Sequence, residues 1–114
     1  MSVIPTDGQR SICLSQKCEC VPVADTDNVG IALATIGLTP INGLRPVTNG
    51  TTGWYIWCGE QLSEAPNFFP PLCVEHLLDR LPAVAEFLAL RPGYRFLVHA
   101  SYQDIWFDEQ LLNV

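Results

Sequence analysis

Val74, Leu77, Leu78 and Leu81 repeat at i, i+3, i+4 and i+7, the spacing of one apolar helical face, while Glu75, His76, Asp79 and Arg80 fall on the other. Pro70-Pro71 stands just ahead of this pattern, where proline opens a helix. Pro82 interrupts it, because the ring disfavours helix at Leu81 and restarts well as a first-turn residue. Val84, Phe87 and Leu88 then resume the apolar spacing. The pattern predicts one kinked helix or two short ones through Leu90, before Arg91-Pro92-Gly93 makes a stop and a turn.

The segments around this helix read differently. Residues 29–36, VGIALATI, are apolar and β-branched, as in a buried strand. Residues 54–58, WYIWC, alternate, with Trp54, Ile56 and Cys58 on one face and Tyr55 and Trp57 on the other. Tyr94 to His99 and Asp104 to Asp108 form two further strands, paired antiparallel as a hairpin about the turn at 100–103. Residues 37–53 hold Pro40, Asn42-Gly43, Pro46, Asn49-Gly50 and Gly53, and read as a long loop of functional kind. Residues 61–69 read as a second loop. Residues 1–28 are irregular, broken by Pro5, Gly8 and Pro22, with Ile12 to Ser15 as a short strand. Strands, then helix, then a closing hairpin predict an α+β fold: an antiparallel β-sheet with one kinked or two short helices packed on one face. At 114 residues the chain is one domain, 1–114, with 29–112 as its core.

Charge narrows the function. Twelve acidic residues face six basic ones, a net charge of -6. Residues 51–114 hold eight of the acids and three of the bases. That balance argues against a nucleic-acid partner, which needs a basic stripe, and against docking on an anionic membrane. It suits a basic protein partner. No 18-residue apolar run spans a membrane, and MSVIPTDGQR lacks the basic start and apolar core of a signal peptide, so the expected location is cytoplasmic. An odd count of five cysteines fits a reducing compartment better than a disulfide framework.

Catalytic signatures are absent. Cys13-x4-Cys18-x-Cys20 is the densest cysteine cluster, but C-x-C is tight for one zinc, and a fourth ligand must come from Cys58, Cys73, His76 or His99. No metal or cofactor is expected. Cys73 with His99, or Cys58 with His76, are the nucleophile pairs considered, with no local sign of activation. His76 reads as a surface residue. There is no G-x-S-x-G elbow, phosphate loop or H-E-x-x-H. Asp104 and Asp108 point to one strand face about 13 Å apart, too far to act on one bond, and read as an acidic rim beside Trp106. The chain reads as a binding protein rather than an enzyme, with no catalytic residues.

The order GWYIWCGE, NFFPPLCVEHL, LPAVAEFLALRPGYRFL and DIWFDEQLL resembles a family of small bacterial immunity proteins of polymorphic-toxin systems, over residues 29–112. Residues 1–28 fall outside that resemblance. It implies a protein that binds and neutralises a cognate toxin and carries no catalytic residues over. The residues agree in chemistry: aromatics fill pockets, while carboxylates at a rim set on-rate and partner choice. Trp54 and Ile56 are then core, and Tyr55 and Trp57 form the recognition face; the competing reading buries all three aromatics between sheet and helix, as is usual for large aromatics at strand spacing. The expected partner-binding set is Tyr55, Trp57, Glu60, Glu64, Trp106, Asp108 and Glu109. The same aromatic patch suits a homodimer interface equally.

Overall fold

The computed structural model describes residues 4–47, 52–60, 68–100 and 102–112. In chain order these form helix α1 (Asp7–Ser15), strands β1 (Asn28–Ile31), β2 (Ile41–Leu44), β3 (Tyr55–Cys58) and β4 (Pro71–Cys73), helix α2 (Val74–Arg80), a 3-10 helix (Pro82–Phe87), and strands β5 (Tyr94–His99) and β6 (Tyr102–Phe107). Short 3-10 turns follow β1 at Leu33–Thr35 and β6 at Glu109–Leu112. The six strands make one sheet in the order β4-β1-β3-β2-β5-β6. Every pairing is antiparallel except β1 with β3, which is parallel. This is the expected α+β class, with one parallel pair that the sequence does not announce.

One sheet face carries the core. Val29 and Ile31 of β1, Trp54 and Ile56 from β3 and its approach, and Phe96 of β5 meet Val74, Leu77, Val84, Phe87 and Leu88 from the helical layer. Phe87 stacks on Phe96 at 4.7 Å and 15°, and Trp54 leans on Phe96 at 5.5 Å. Trp54 donates its indole N–H to the Leu88 carbonyl at 3.0 Å, so this buried donor is satisfied. Arg45 is buried as well. Its Nε donates to the Thr52 carbonyl at 2.8 Å and its Nη1 to those of Val21 and Leu90 at 2.8 and 2.7 Å. The guanidinium also lies 5.6 Å over the Trp54 ring. Burial lowers its pKa to about 10, against the opposing pull of Asp27, and leaves it charged at neutral pH. It ties three separate loops to the sheet by their carbonyls.

The helical face between 74 and 81 follows the spacing: Val74, Leu77 and Leu81 are buried, Leu78 is half-buried against the core, and Glu75, His76, Asp79 and Arg80 are exposed. Pro82 ends α2 and opens the 3-10 helix. Tyr94 to His99 stands where expected, and its antiparallel partner forms the expected hairpin in the register Arg95↔Trp106 and Leu97↔Asp104. That strand starts at Tyr102 rather than Asp104, and the turn is correspondingly shorter.

Four elements differ from expectation. Ile12 to Ser15 is helix, not strand. Thr6 caps α1 in a full capping box, its Oγ1 accepting from Gln9 N at 3.1 Å while Gln9 Oε1 accepts from Thr6 N at 3.0 Å. Residues 37–53 are not a plain loop, because 41–44 form β2, an interior strand. Gly43 is there for packing: a Cβ on it would stand 2.2 Å from Phe96 Cε2. Pro71 lies in β4, opposite Gly30, rather than inside a helix. β4 is a sheet edge, where a residue without an N–H is tolerated. The first strand ends at Ile31, and the chain turns through Leu33–Thr35 instead of running on to residue 36. The second predicted loop lies outside the described residues over 61–67.

Candidate partner-binding surface

Strand alternation sends a second set of side chains to the face opposite the helices. The register places Tyr55, Leu44, Arg95 and Trp106 in one cross-strand row, and Trp57, Asn42, Leu97 and Asp104 in the next. His99 and Tyr102 extend the face beyond them. Leu44, Tyr55, Arg95, Leu97 and Trp106 are half-buried, whereas Asp104, His99 and Tyr102 are exposed. The face is thus apolar and aromatic, studded with charge, and partly open to solvent.

Its aromatics are ordered by edge contacts. Phe69 meets Tyr55 at 5.2 Å and 73° and Trp57 at 6.3 Å and 75°, and Phe68 packs on Phe69 at 4.8 Å. Gly30 makes room for this cluster, since a Cβ there would lie 2.9 Å from the Tyr55 ring and 3.2 Å from Phe69. At the other end Arg95 lies 5.4 Å over the Trp106 ring. Its Nη1 donates to Asp108 Oδ2 at 3.3 Å, with both side chains under one-third exposed. Among the described residues Trp57 Nε1 and Arg95 Nε, on this face, are buried with no acceptor.

The predicted residues separate on this geometry. Tyr55, Trp57 and Trp106 share the face. Trp57 is only 5% exposed, however, with Phe69 edge-on to it, so it is buried as the competing reading has it, on the face away from the helices, and is not an open recognition side chain. Asp108 sits at the end of β6 but is engaged by Arg95, and its Oδ1 accepts from Gln110 N at 3.1 Å. Glu60 and Glu109 are exposed. Glu64 lies outside the described residues. Sequence reasoning missed Leu44, hidden in a segment read as loop, and Arg95 and Leu97, whose cross-strand partners in the hairpin, Trp106 and Asp104, were the available signal.

The cysteine chemistry weighed from sequence resolves as follows. Cys58 is buried beside Thr35, whose Oγ1 accepts from Cys58 N at 2.9 Å, and burial raises its pKa. Cys73 and His99 lie on β4 and β5, with three strands between them. Cys13 is buried against the Ala89 carbonyl at 3.6 Å, and burial, then the neighbouring thiols of Cys20 and Cys18, push its pKa up to about 12. Among the described residues no group of three or more His, Cys, Asp or Glu is arranged to hold a metal. On the helical side a cavity of about 590 Å³ opens between Thr6, Gln9, Val23, Val74 and Leu78. Gln9 is already engaged there by Thr6 and by the Ala85 carbonyl. No helix among the described residues is long and apolar enough to cross a membrane.

A family model for the Imm33-like domain matches residues 8–108. The chain belongs to this Imm33-like family, one of the immunity-protein families of polymorphic-toxin systems. The match reaches back to residue 8, so α1 and the three N-terminal cysteines belong to the family domain, contrary to the resemblance drawn over 29–112 alone. No curated protein and no solved structure matches the chain.

Proposed function

We propose that this Imm33-like chain neutralises a cognate toxin by direct protein–protein contact, using the open sheet face as its contact surface. The observation that carries this reading is the pairing of family membership with a half-buried aromatic face that no helix among the described residues covers. On that face Tyr55, Leu44, Leu97 and Trp106 supply apolar area, and Arg95, Asp104 and Asn42 lie between them. Protein interfaces have this make-up: aromatics and arginine at the centre with charge at the rim. Asp104, Glu60 and Glu109 are exposed carboxylates, and they favour a basic surface on the toxin. The protein acts by binding, not by catalysis, from the cytoplasm of the cell that it protects.

A second reading of the sequence is a non-enzymatic regulatory module that binds another protein or a small ligand through a loop over residues 37–53; the interior strand at 41–44 favours it less than the toxin-binding reading. Co-expression tests the proposal. The neighbouring reading frame, toxic when expressed alone, should lose its toxicity when this chain is present, and the two should co-purify one to one. Unrelieved toxicity with both proteins soluble would overturn it.

A further inference from the structure

Cys73 closes β4 and stands at the N-cap of α2, with φ -71° and ψ 153°. Cysteine is a weak capping residue, and its side chain makes no cap hydrogen bond here. It turns instead to the side chain one turn on: Cys73 Sγ lies 3.1 Å from His76 Nδ1. Cys73 is half-buried and His76 exposed, so the contact sits at the solvent boundary. The other four thiols are placed differently. Cys13 is buried and donates to the Ala89 carbonyl. Cys58 is buried in the core. Cys20 lies 3.9 Å from the Gln9 carbonyl, and Cys18 packs against the core. One thiol of five therefore faces a base, and solvent reaches the pair.

We propose that Cys73 and His76 form a thiol–imidazole pair that makes Cys73 the S-thiolation site of this chain, taking small-molecule disulfides of the glutathione class. The thiolate, not the thiol, attacks a disulfide, and an ordinary cysteine is only a few per cent thiolate at neutral pH. His76 in the tautomer carrying its proton on Nε2 has a free Nδ1 lone pair facing Sγ. The Cys73 proton passes to Nδ1. Sγ attacks one sulfur of the disulfide, the new Sγ–S bond forms as the old S–S bond breaks, and the departing thiolate takes the proton from the imidazolium. One disulfide is consumed, one mixed disulfide and one free thiol result, and the electrons balance within the exchange. The proposal stands apart from the toxin-binding reading, because it uses neither the open face nor a protein partner.

The test is competitive thiolation of the folded chain with glutathione disulfide, with the adducts located by peptide mapping. In the wild type, Cys73 should react at least about tenfold faster than Cys18 or Cys20. In both His76→Ala and His76→Gln its rate should fall to that of Cys18 and Cys20. His76 is exposed, so neither variant disturbs the core, and unreacted Cys13 and Cys58 verify in the same digest that the fold is intact. Equal rates among Cys73, Cys18 and Cys20 in the wild type would overturn the proposal, as would a Cys73 rate that survives in either variant.

Discussion

The two faces of the sheet come from the same strands, yet they solve different problems. On the helix-covered face Trp54, Ile56 and Phe96 are at most 1% exposed, and the one polar side-chain atom among them, the Trp54 indole N–H, donates to the Leu88 carbonyl. On the opposite face Tyr55, Leu44, Leu97 and Trp106 remain half-buried, with Arg95, Asn42 and Asp104 between them. Apolar content alone does not tell the faces apart, because both are rich in aromatics. What separates them is the interleaving of charge. A face for permanent burial excludes charge or satisfies it internally, as Arg45 is satisfied, whereas a face that meets a partner keeps it at hand.

That contrast breaks most visibly at Phe96. Phe96→Ala removes a ring stacked on Phe87 and packed at a tilt against Trp54 and should cost about 3–5 kcal/mol in urea unfolding. A loss under about 1 kcal/mol would mean that this face is not the core. Trp106→Ala should reverse the pattern, with a small change in folding stability but about 2 kcal/mol or more lost in toxin binding measured by calorimetry. Gly43→Ala drives a Cβ into the Phe96 ring and should destabilise by about 1–3 kcal/mol; a neutral effect in thermal melts would undo the packing account of β2. The smallest effect concerns charge. Reversing Asp104 and Glu109 together should leave stability within about 0.5 kcal/mol and slow toxin association several-fold at low salt, with the slowing fading at high salt. Asp108 is a poorer probe of steering, since replacing it also breaks the Arg95 contact.

The parts of this fold that the sequence made legible are those where one local pattern decides. Leu77 and Leu81 announce the buried side of α2 by period, and residues 94–107 announce a hairpin by alternation about a turn. The parts it concealed have residues with two physical uses. Asn42-Gly43 reads as a turn, but Gly43 leaves space for Phe96, and Asn42 Nδ2 donates to the Gly59 carbonyl at 2.9 Å. Pro71 lacks an N–H, which suits a helix start and an edge strand alike. Helix α1 buries only Ile12 and Cys13, too few for a visible stripe, and its signal was the Thr6-x-x-Gln9 capping box. Of the site, Tyr55 and Trp106 were readable from alternation. For Trp57 alternation left burial and recognition both open, because Phe69, which packs on it, stands twelve positions along the chain and is brought back by β4 pairing with β1.

The central claim is that the open face, and not the helical layer, meets the toxin. Its most direct test is the equilibrium affinity of the purified toxin for three proteins: the wild type, Trp106→Ala, and Asp79→Ala on the outer side of α2. Trp106→Ala should bind at least about thirtyfold more weakly, the equivalent of about 2 kcal/mol, while Asp79→Ala binds within about twofold of wild type. Full affinity in Trp106→Ala together with a large loss in Asp79→Ala would place the toxin on the helices and contradict the account.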